Sequence, residues 1–160
     1  WKLFVRKKSL LILEFIMIKI EVMEGEIFND HRGQISSMNH FMFGEVERYY
    51  FIHHPDPAII RGWHGHQFEK KWFQCIKGSF TLAFVKIDNW EHPSQDLKAE
   101  IFEISEAKSQ VICLPEGYAN CIKAQEQDSV LMVFSGKRVP EAYEDSWRYD
   151  ANNWVDWSKY

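Results

Sequence analysis

Two histidines one residue apart, His64 and His66, stand in the stretch IIRGWHGHQFEKKWFQCIKGSF that runs from Ile59 to Phe80. In a strand alternate side chains share a face, so the two imidazoles look into one cavity while Trp63 and Gly65 look the other way. Neutral imidazole is the commonest nitrogen ligand for metals and also the side chain that titrates nearest neutral pH. The pair therefore suits a metal site or a proton-transfer site. The bland alternative is a pair of histidines satisfied by hydrogen bonds and doing no chemistry. Arg61 precedes the pair and Lys71 follows it; Lys71 could equally be an outward-facing surface residue.

The elements that must position these residues read as strands. Ile18 to Val22 alternates, Glu24-Gly25-Glu26 is a turn, and Ile27-Phe28 is a short strand before the turn chemistry of Asn29-Asp30-His31-Arg32-Gly33. Ile35 to Phe43 and Val46 to Ile52 are expected to pair around Gly44-Glu45. The segment His53-His54-Pro55-Asp56-Pro57 reads as a loop, because its prolines cannot donate to a sheet ladder. Further strands are expected at 58–66, 71–76, 80–87, 100–104, 109–114, 118–124 and 129–135, with a polar loop at 88–98. Short strands at regular intervals, turn signals between them and no long 3.6-residue period predict an all-β antiparallel sandwich or barrel. The tail from Pro140 to Tyr160 changes character: it is charged and aromatic, and predicts a short helix with an aromatic lid or interface patch. Packing of that patch onto the chain's own barrel is the alternative.

Composition excludes some classes. At 160 residues the chain is one domain's worth, and 19 Lys and Arg against 23 Asp and Glu give a net charge of -4, no footprint for nucleic acid. Cys75, Cys113 and Cys121 form an odd set without C-x-x-C, and are expected to be buried thiols in a reducing compartment, the cytoplasm. Trp1 is not a start residue, whereas Met17-Ile18-Lys19-Ile20 reads as an initiation point. Residues 1–16 are thus expected to be a non-native or upstream extension, and 17–160 a single domain. The extension has basic residues and then an apolar run, but Glu14 interrupts the run and it is too short to span a bilayer. No membrane partner is expected.

The step from His66 to Gly78 and the segment Pro115-Glu116-Gly117-Tyr118-Ala119-Asn120 resemble the two motifs of the cupins, small jelly-roll barrels built as an antiparallel double-stranded β-helix. Metal-binding cupins carry a glutamate where this chain has Lys70 or Lys71, and a third histidine where it has Asn120. A cation repels a divalent metal and an amide is a poor transition-metal ligand, so the pocket reads as metal-free, with no cofactor. A metal-dependent cupin would need a third ligand beyond His64 and His66.

Within the cupins the chain resembles the RmlC-like enzymes that remodel nucleotide-linked 4-keto-6-deoxysugars, the dTDP-4-dehydrorhamnose 3,5-epimerases and dTDP-sugar 3,4-ketoisomerases. Asp30-His31-Arg32-Gly33 is similar to the epimerases' D-x-R-G, Arg61-Gly62-Trp63-His64 to R-G-x-H, and Leu114 to Ala119 to I-P-E-G-F-A. The second histidine and the short step to Lys71 look like the ketoisomerase branch. The resemblance implies His64 as the catalytic base, His66 as a second acid or base, and Lys71 as a cation near the sugar's keto oxygen. It also implies substrate contacts from Arg32, Arg61, Tyr118 and Asn120, with Arg32 reaching the nucleotide's phosphates, often across a dimer interface. Arg61 could instead pair with an acidic group that orients His64.

The partner implied is a nucleotide-sugar small molecule, and the state a homodimer. The epimerases' tyrosine about a dozen residues past P-E-G-F-A-H has no counterpart in Ser129-Val130-Leu131-Met132-Val133-Phe134. A full double epimerisation is therefore not expected unless Tyr118, Tyr143 or Tyr149 turns inward. A ketone migration, a single-centre epimerisation or non-catalytic sugar binding stays open.

Overall fold

A computed structural model describes residues 19–160. The expectation about residues 1–16 lies outside them. Twelve strands follow in order: β1 (Glu21–Glu24), β2 (Glu26–Asp30), β3 (Gly33–Ser37), β4 (Arg48–His54), β5 (Ile60–His66), β6 (Lys71–Lys77), β7 (Ser79–Lys86), β8 (Glu100–Ser105), β9 (Gln110–Leu114), β10 (Tyr118–Ala124), β11 (Ser129–Ser135) and β12 (Trp147–Arg148). A short helix, α1 (Val139–Glu144), stands between β11 and β12.

The strands build two five-stranded sheets, β1-β9-β6-β11-β4 and β12-β5-β10-β7-β8, while β2 and β3 form a separate hairpin. The pairings across all three are antiparallel. This is the all-β jelly-roll expected of the sequence.

Burial explains why the strands are as apolar as they are. Phe73, Phe84, Leu82, Ile112, Leu131 and Val133 fill the space between the sheets. The outer face of the β5-β10-β7 side is covered as well, by Trp63, Val85, Ala119, Cys121 and the tail's Trp157, with Trp90, Tyr149 and Trp154 packed against them. Phe80 to Val85 is consequently buried on both faces, and its one polar member, Thr81, accepts a hydrogen bond from the Gln125 amide at 2.9 Å. The three cysteines are free and buried, and burial pushes the thiols of Cys75 and Cys121 up to about 12 and that of Cys113 to about 11. Such thiols are inert small hydrophobes at neutral pH.

Three expectations are corrected. Ile35 to Phe43 is not one strand pairing with Val46 to Ile52: β3 ends at Ser37 and folds back on β2, a 3-10 turn occupies Phe43–Glu45, and β4 pairs with β11. The turn at Gly33, with φ 126°, makes the nearer hairpin accessible, and local closure costs less chain entropy than the longer alternative. His53 and His54 are the last residues of β4, opposite Val130 and Ser129, because the prolines that stop the strand come only after them. The tail's aromatics pack on the chain's own barrel: Trp154 meets Trp63 edge-on at 5.1 Å, Trp147 lies 5.8 Å from Trp90, and Trp157 is buried. The helix expected in the tail is α1, with Pro140 in its first turn, where a missing N–H costs nothing.

Candidate active site

One open end of the barrel holds a cavity of about 1210 Å³, walled by β4, β5, β6 and β10 and roofed by α1 and the residues up to β12. From β5 come Arg61, His64 and His66; from β6, Lys71 and Phe73; from β10, Asn120 and Ile122. The two-residue period of β4 turns Arg48, Tyr50 and Ile52 inward and leaves Tyr49 exposed on the other face, while Phe51, also exposed, borders the cavity. Tyr143 of α1, Ser146 and Arg148 complete it.

His64 and His66 share a face as the alternation requires, their rings 4.4 Å apart. The residue between them must be glycine, because a Cβ on Gly65 would stand 2.7 Å from the Trp90 ring packed beneath the strand. The two histidines differ in surroundings. His64 is half-buried, and its Nε2 lies 2.9 Å from Ser146 Oγ. Burial, with Lys71, His66 and Arg148 nearby, lowers its pKa to about 3, so the imidazole is neutral across ordinary pH. His66 is only 3% exposed, and neither ring nitrogen reaches solvent. Its Nδ1 stands 3.0 Å from Glu69 Oε2, a close polar contact rather than an aligned hydrogen bond.

Glu69 is fully buried, with Lys71 Nζ 3.7 Å from Oε2, and Arg48 (3.4 Å) and Ser135 Oγ (2.5 Å) on Oε1. Burial opposes its charge, but His66, Lys71 and Ser135 outweigh that and hold its pKa down to about 2. Lys71 is 3% exposed; burial lowers its pKa to about 8, against the pull of Glu69, so it remains a cation at neutral pH. The segment carrying Glu69 is pinned by Asp145, whose carboxylate accepts from the backbone N–H groups of Gln67 (3.0 Å) and Phe68 (2.8 Å).

Asn120 lies opposite His64 on β10, and its side chain donates to the His64 carbonyl at 2.7 Å, where the register with β5 then slips before Ile122. One face of that amide thus holds the backbone under His64. Two of the expected substrate contacts lie outside this chain's own cavity. Tyr118 belongs to the apolar core between the sheets and does not line the cavity. Arg32 sits on the exposed hairpin turn, where Asp30 accepts from its guanidinium (2.5 and 3.0 Å) and its backbone N–H (2.8 Å), and it lines no part of this chain's cavity. Of the tyrosines offered as stand-ins, only Tyr143 reaches the cavity.

The sequence reading missed Arg48, Tyr50, Glu69, Ser146 and Arg148. The alternation of Arg48-Tyr50-Ile52 was a usable signal, and so was a carboxylate three residues after His66; nothing local marked Ser146 or Arg148. Burial pushes the Tyr50 hydroxyl up to about 12, and the Arg48 guanidinium lies 5.0 Å from its ring centre. Among the described residues no three His, Cys, Asp or Glu side chains gather as a metal would require.

The sequence model of the FdtA family, described as WxcM-like, C-terminal, matches residues 17–153. The chain belongs to the WxcM-like, C-terminal family. No curated protein matches this FdtA-family chain in sequence. Solved structures share its fold. The sugar 3,4-ketoisomerase QdtA from Thermoanaerobacterium thermosaccharolyticum, in complex with TDP, is 18% identical with a TM-score of 0.64 over 84% of this chain and 90% of that one. The rmlC epimerase of Mycobacterium tuberculosis is 17% identical with a TM-score of 0.73 over 89% and 76%. ChmJ, a 3'-monoepimerase from Streptomyces bikiniensis in complex with dTDP-quinovose, is 16% identical with a TM-score of 0.66 over 82% and 69%. No helix among the described residues is long and apolar enough to cross a membrane.

Proposed function

We propose that this chain is an isomerase or epimerase that acts on a nucleotide-linked 4-keto-6-deoxyhexose, most simply the dTDP sugar, by moving a proton next to the ketone. The observation that carries the reading is that a neutral imidazole, His64, and a buried ammonium, Lys71, line one cavity. The carbon beside a ketone gives up a proton only if a base takes it and a positive group meets the charge left on oxygen. His64 supplies the first and Lys71 the second. Arg48, Arg61 and Arg148 give the cavity the cations a diphosphate requires. The neighbours that bind TDP or a dTDP sugar on this fold support the same ligand class.

In a ketone migration His64 takes the C3 proton, the C4 oxygen gains a proton, and a C3–C4 enediol results. Return of the carbon proton from His64 to C4, with loss of the C3 hydroxyl proton, leaves the ketone at C3. Atoms and charge balance with no redox partner. The low proton affinity of His64 in the free protein keeps it unprotonated and free to accept, and the substrate's phosphates, set against Arg148, offset part of the positive field that depresses it. His66 is the second imidazole on the same wall, its ring 4.4 Å from that of His64 and its nitrogens buried. Tyr50 is the hydroxyl placed to protonate a sugar oxygen.

The same reading carries a homodimer. Its support is exposed aromatic surface on β4 and the preceding turn, Phe43, Tyr49 and Phe51, with Phe28 and Ile35 side by side on the projecting hairpin. Arg32 on that hairpin would then serve the neighbouring copy's cavity.

The test is incubation with dTDP-4-keto-6-deoxyglucose in deuterated water, followed by proton NMR, beside His64→Asn. Deuterium at C3 that disappears in the variant is the expected outcome, and the product's shifts distinguish migration from epimerisation. Sugar that binds wild type without exchanging would defeat the enzyme reading and leave a sugar-binding module.

A further inference from the structure

Among the described residues Glu69 is the one carboxylate buried against this site, and the proton transfer gives it no task. Its two oxygens are divided: Oε2 faces His66 (3.0 Å) and Lys71 (3.7 Å), while Oε1 takes Arg48 (3.4 Å) and the Ser135 hydroxyl (2.5 Å). A carboxylate removed from water is costly unless its charge is met, and here cations from two separate strands meet it. No hydrophobic requirement places it there, since the adjacent Phe68 is itself left exposed.

We propose that Glu69 is the positioning residue of this site: from behind the cavity wall it fixes Lys71 and His66 side by side on the cavity's lining and keeps the lysine a cation although it is buried. The inference rests on the reading of Lys71 as the group that meets the enolate, but its central claim, the charge state of Lys71, holds or fails without turnover.

The groups facing Lys71 make the case specific. Arg48 from β4 and Arg148 from β12 repel its proton, His64 stands on β5, and Glu69 is the anion that opposes them. With burial and two guanidiniums acting against the ammonium, removal of the carboxylate takes away the one anion named against them among the described residues. A glutamine at this position keeps the volume and the hydrogen bond from Ser135 but not the charge. An aspartate keeps the charge on a shorter stem.

The experiment follows the carbon next to Nζ of Lys71 by NMR as pH is raised, in wild type, Glu69→Gln and Glu69→Asp, with Lys71→Met to identify the signal. Wild type is expected to hold its proton at pH 7 and lose it near 8. E69Q is expected to titrate at lower pH, with at least a tenfold loss of proton affinity, and E69D to restore most of the difference. In turnover, the alkaline limb of kcat should move to lower pH in E69Q while KM changes little, a pattern that a merely loosened fold does not give. An E69Q lysine that titrates where the wild-type lysine does overturns the proposal. If E69Q does not fold, wild type decides: a Lys71 already neutral at pH 7 overturns it too. Absent turnover with the predicted titration intact would defeat the functional reading and leave this one standing.

Discussion

At the scale of single residues, the site separates two histidines that the sequence makes look alike. His64 is wedged among cations, and its proton affinity falls far below the ordinary imidazole value of 6.5. A group whose folded pKa is lowered in this way refuses a proton the unfolded chain accepts, so stability drops as pH falls from 6.5 toward 3. Glu69, held near 2 against 4.5, adds a second loss between 4.5 and 2, because the unfolded carboxylate takes up its proton first. Both slopes have the same sign, and buried His54 adds to the first. Denaturant titrations are expected to show wild type losing stability between pH 6.5 and 4.5, and His64→Asn losing less, by on the order of 2 kcal/mol once partial exposure is allowed for. A variant curve parallel to wild type would put the depressed proton affinity of His64 in doubt. Tyr50→Phe tests the hydroxyl: kcat should drop by about a hundredfold with little change in KM if the phenol donates a proton, and an unchanged kcat would remove it from the chemistry.

At the scale of elements, the geometry depends on connections more than on strands. The link between β5 and β6 carries Glu69, and Asp145, just past α1, grips its backbone through two N–H groups. Asp145→Ala removes the acceptor of two N–H groups, one of them exposed to water, at about 1 kcal/mol of stability. The same variant should lower kcat, since it frees the loop behind Lys71. A stability loss with full activity would show that the grip serves folding alone. Beneath β5, Gly65 and Trp90 fit so closely that Gly65→Ala forces the indole away, for an expected cost of about 1–3 kcal/mol by thermal or chemical denaturation.

At the scale of the whole molecule, a chain of net charge -4 gathers Arg48, Arg61, Lys71 and Arg148 into one cavity with Glu69 as the carboxylate among them. Overall charge therefore says little about the ligand, whereas the local field favours an anion. Arg148→Ala is expected to raise KM for the nucleotide sugar about tenfold or more, as loss of one charge-assisted contact would. Binding of TDP measured by calorimetry should weaken in parallel, and equal binding by wild type and variant would place the phosphates elsewhere. Light scattering is expected to give the mass of a dimer, and Tyr49→Glu to shift it toward the monomer.

Much was legible in the residues. The spacing of apolar runs and turns specified an all-β fold, and the strand alternation put His64 and His66 on one face, because a period of two is a property of extended backbone itself. The limits of β4 and the pairing of β3 were not legible, since which strands neighbour one another is chosen by long-range packing rather than by local preference. Tyr118 looked like part of the site because it follows a motif, yet its side chain is taken up in the core between the sheets and lines no part of the cavity. Glu69, Ser146 and Arg148 entered only with the tertiary structure. They come from a connection and from the tail, and their place beside His64, His66 and Lys71 exists only once the sheets have closed. The sequence by itself determined the fold class and the shared face of the two histidines. Burial and the charges brought in from distant segments decided which histidine is open to the cavity and why a buried lysine keeps its proton.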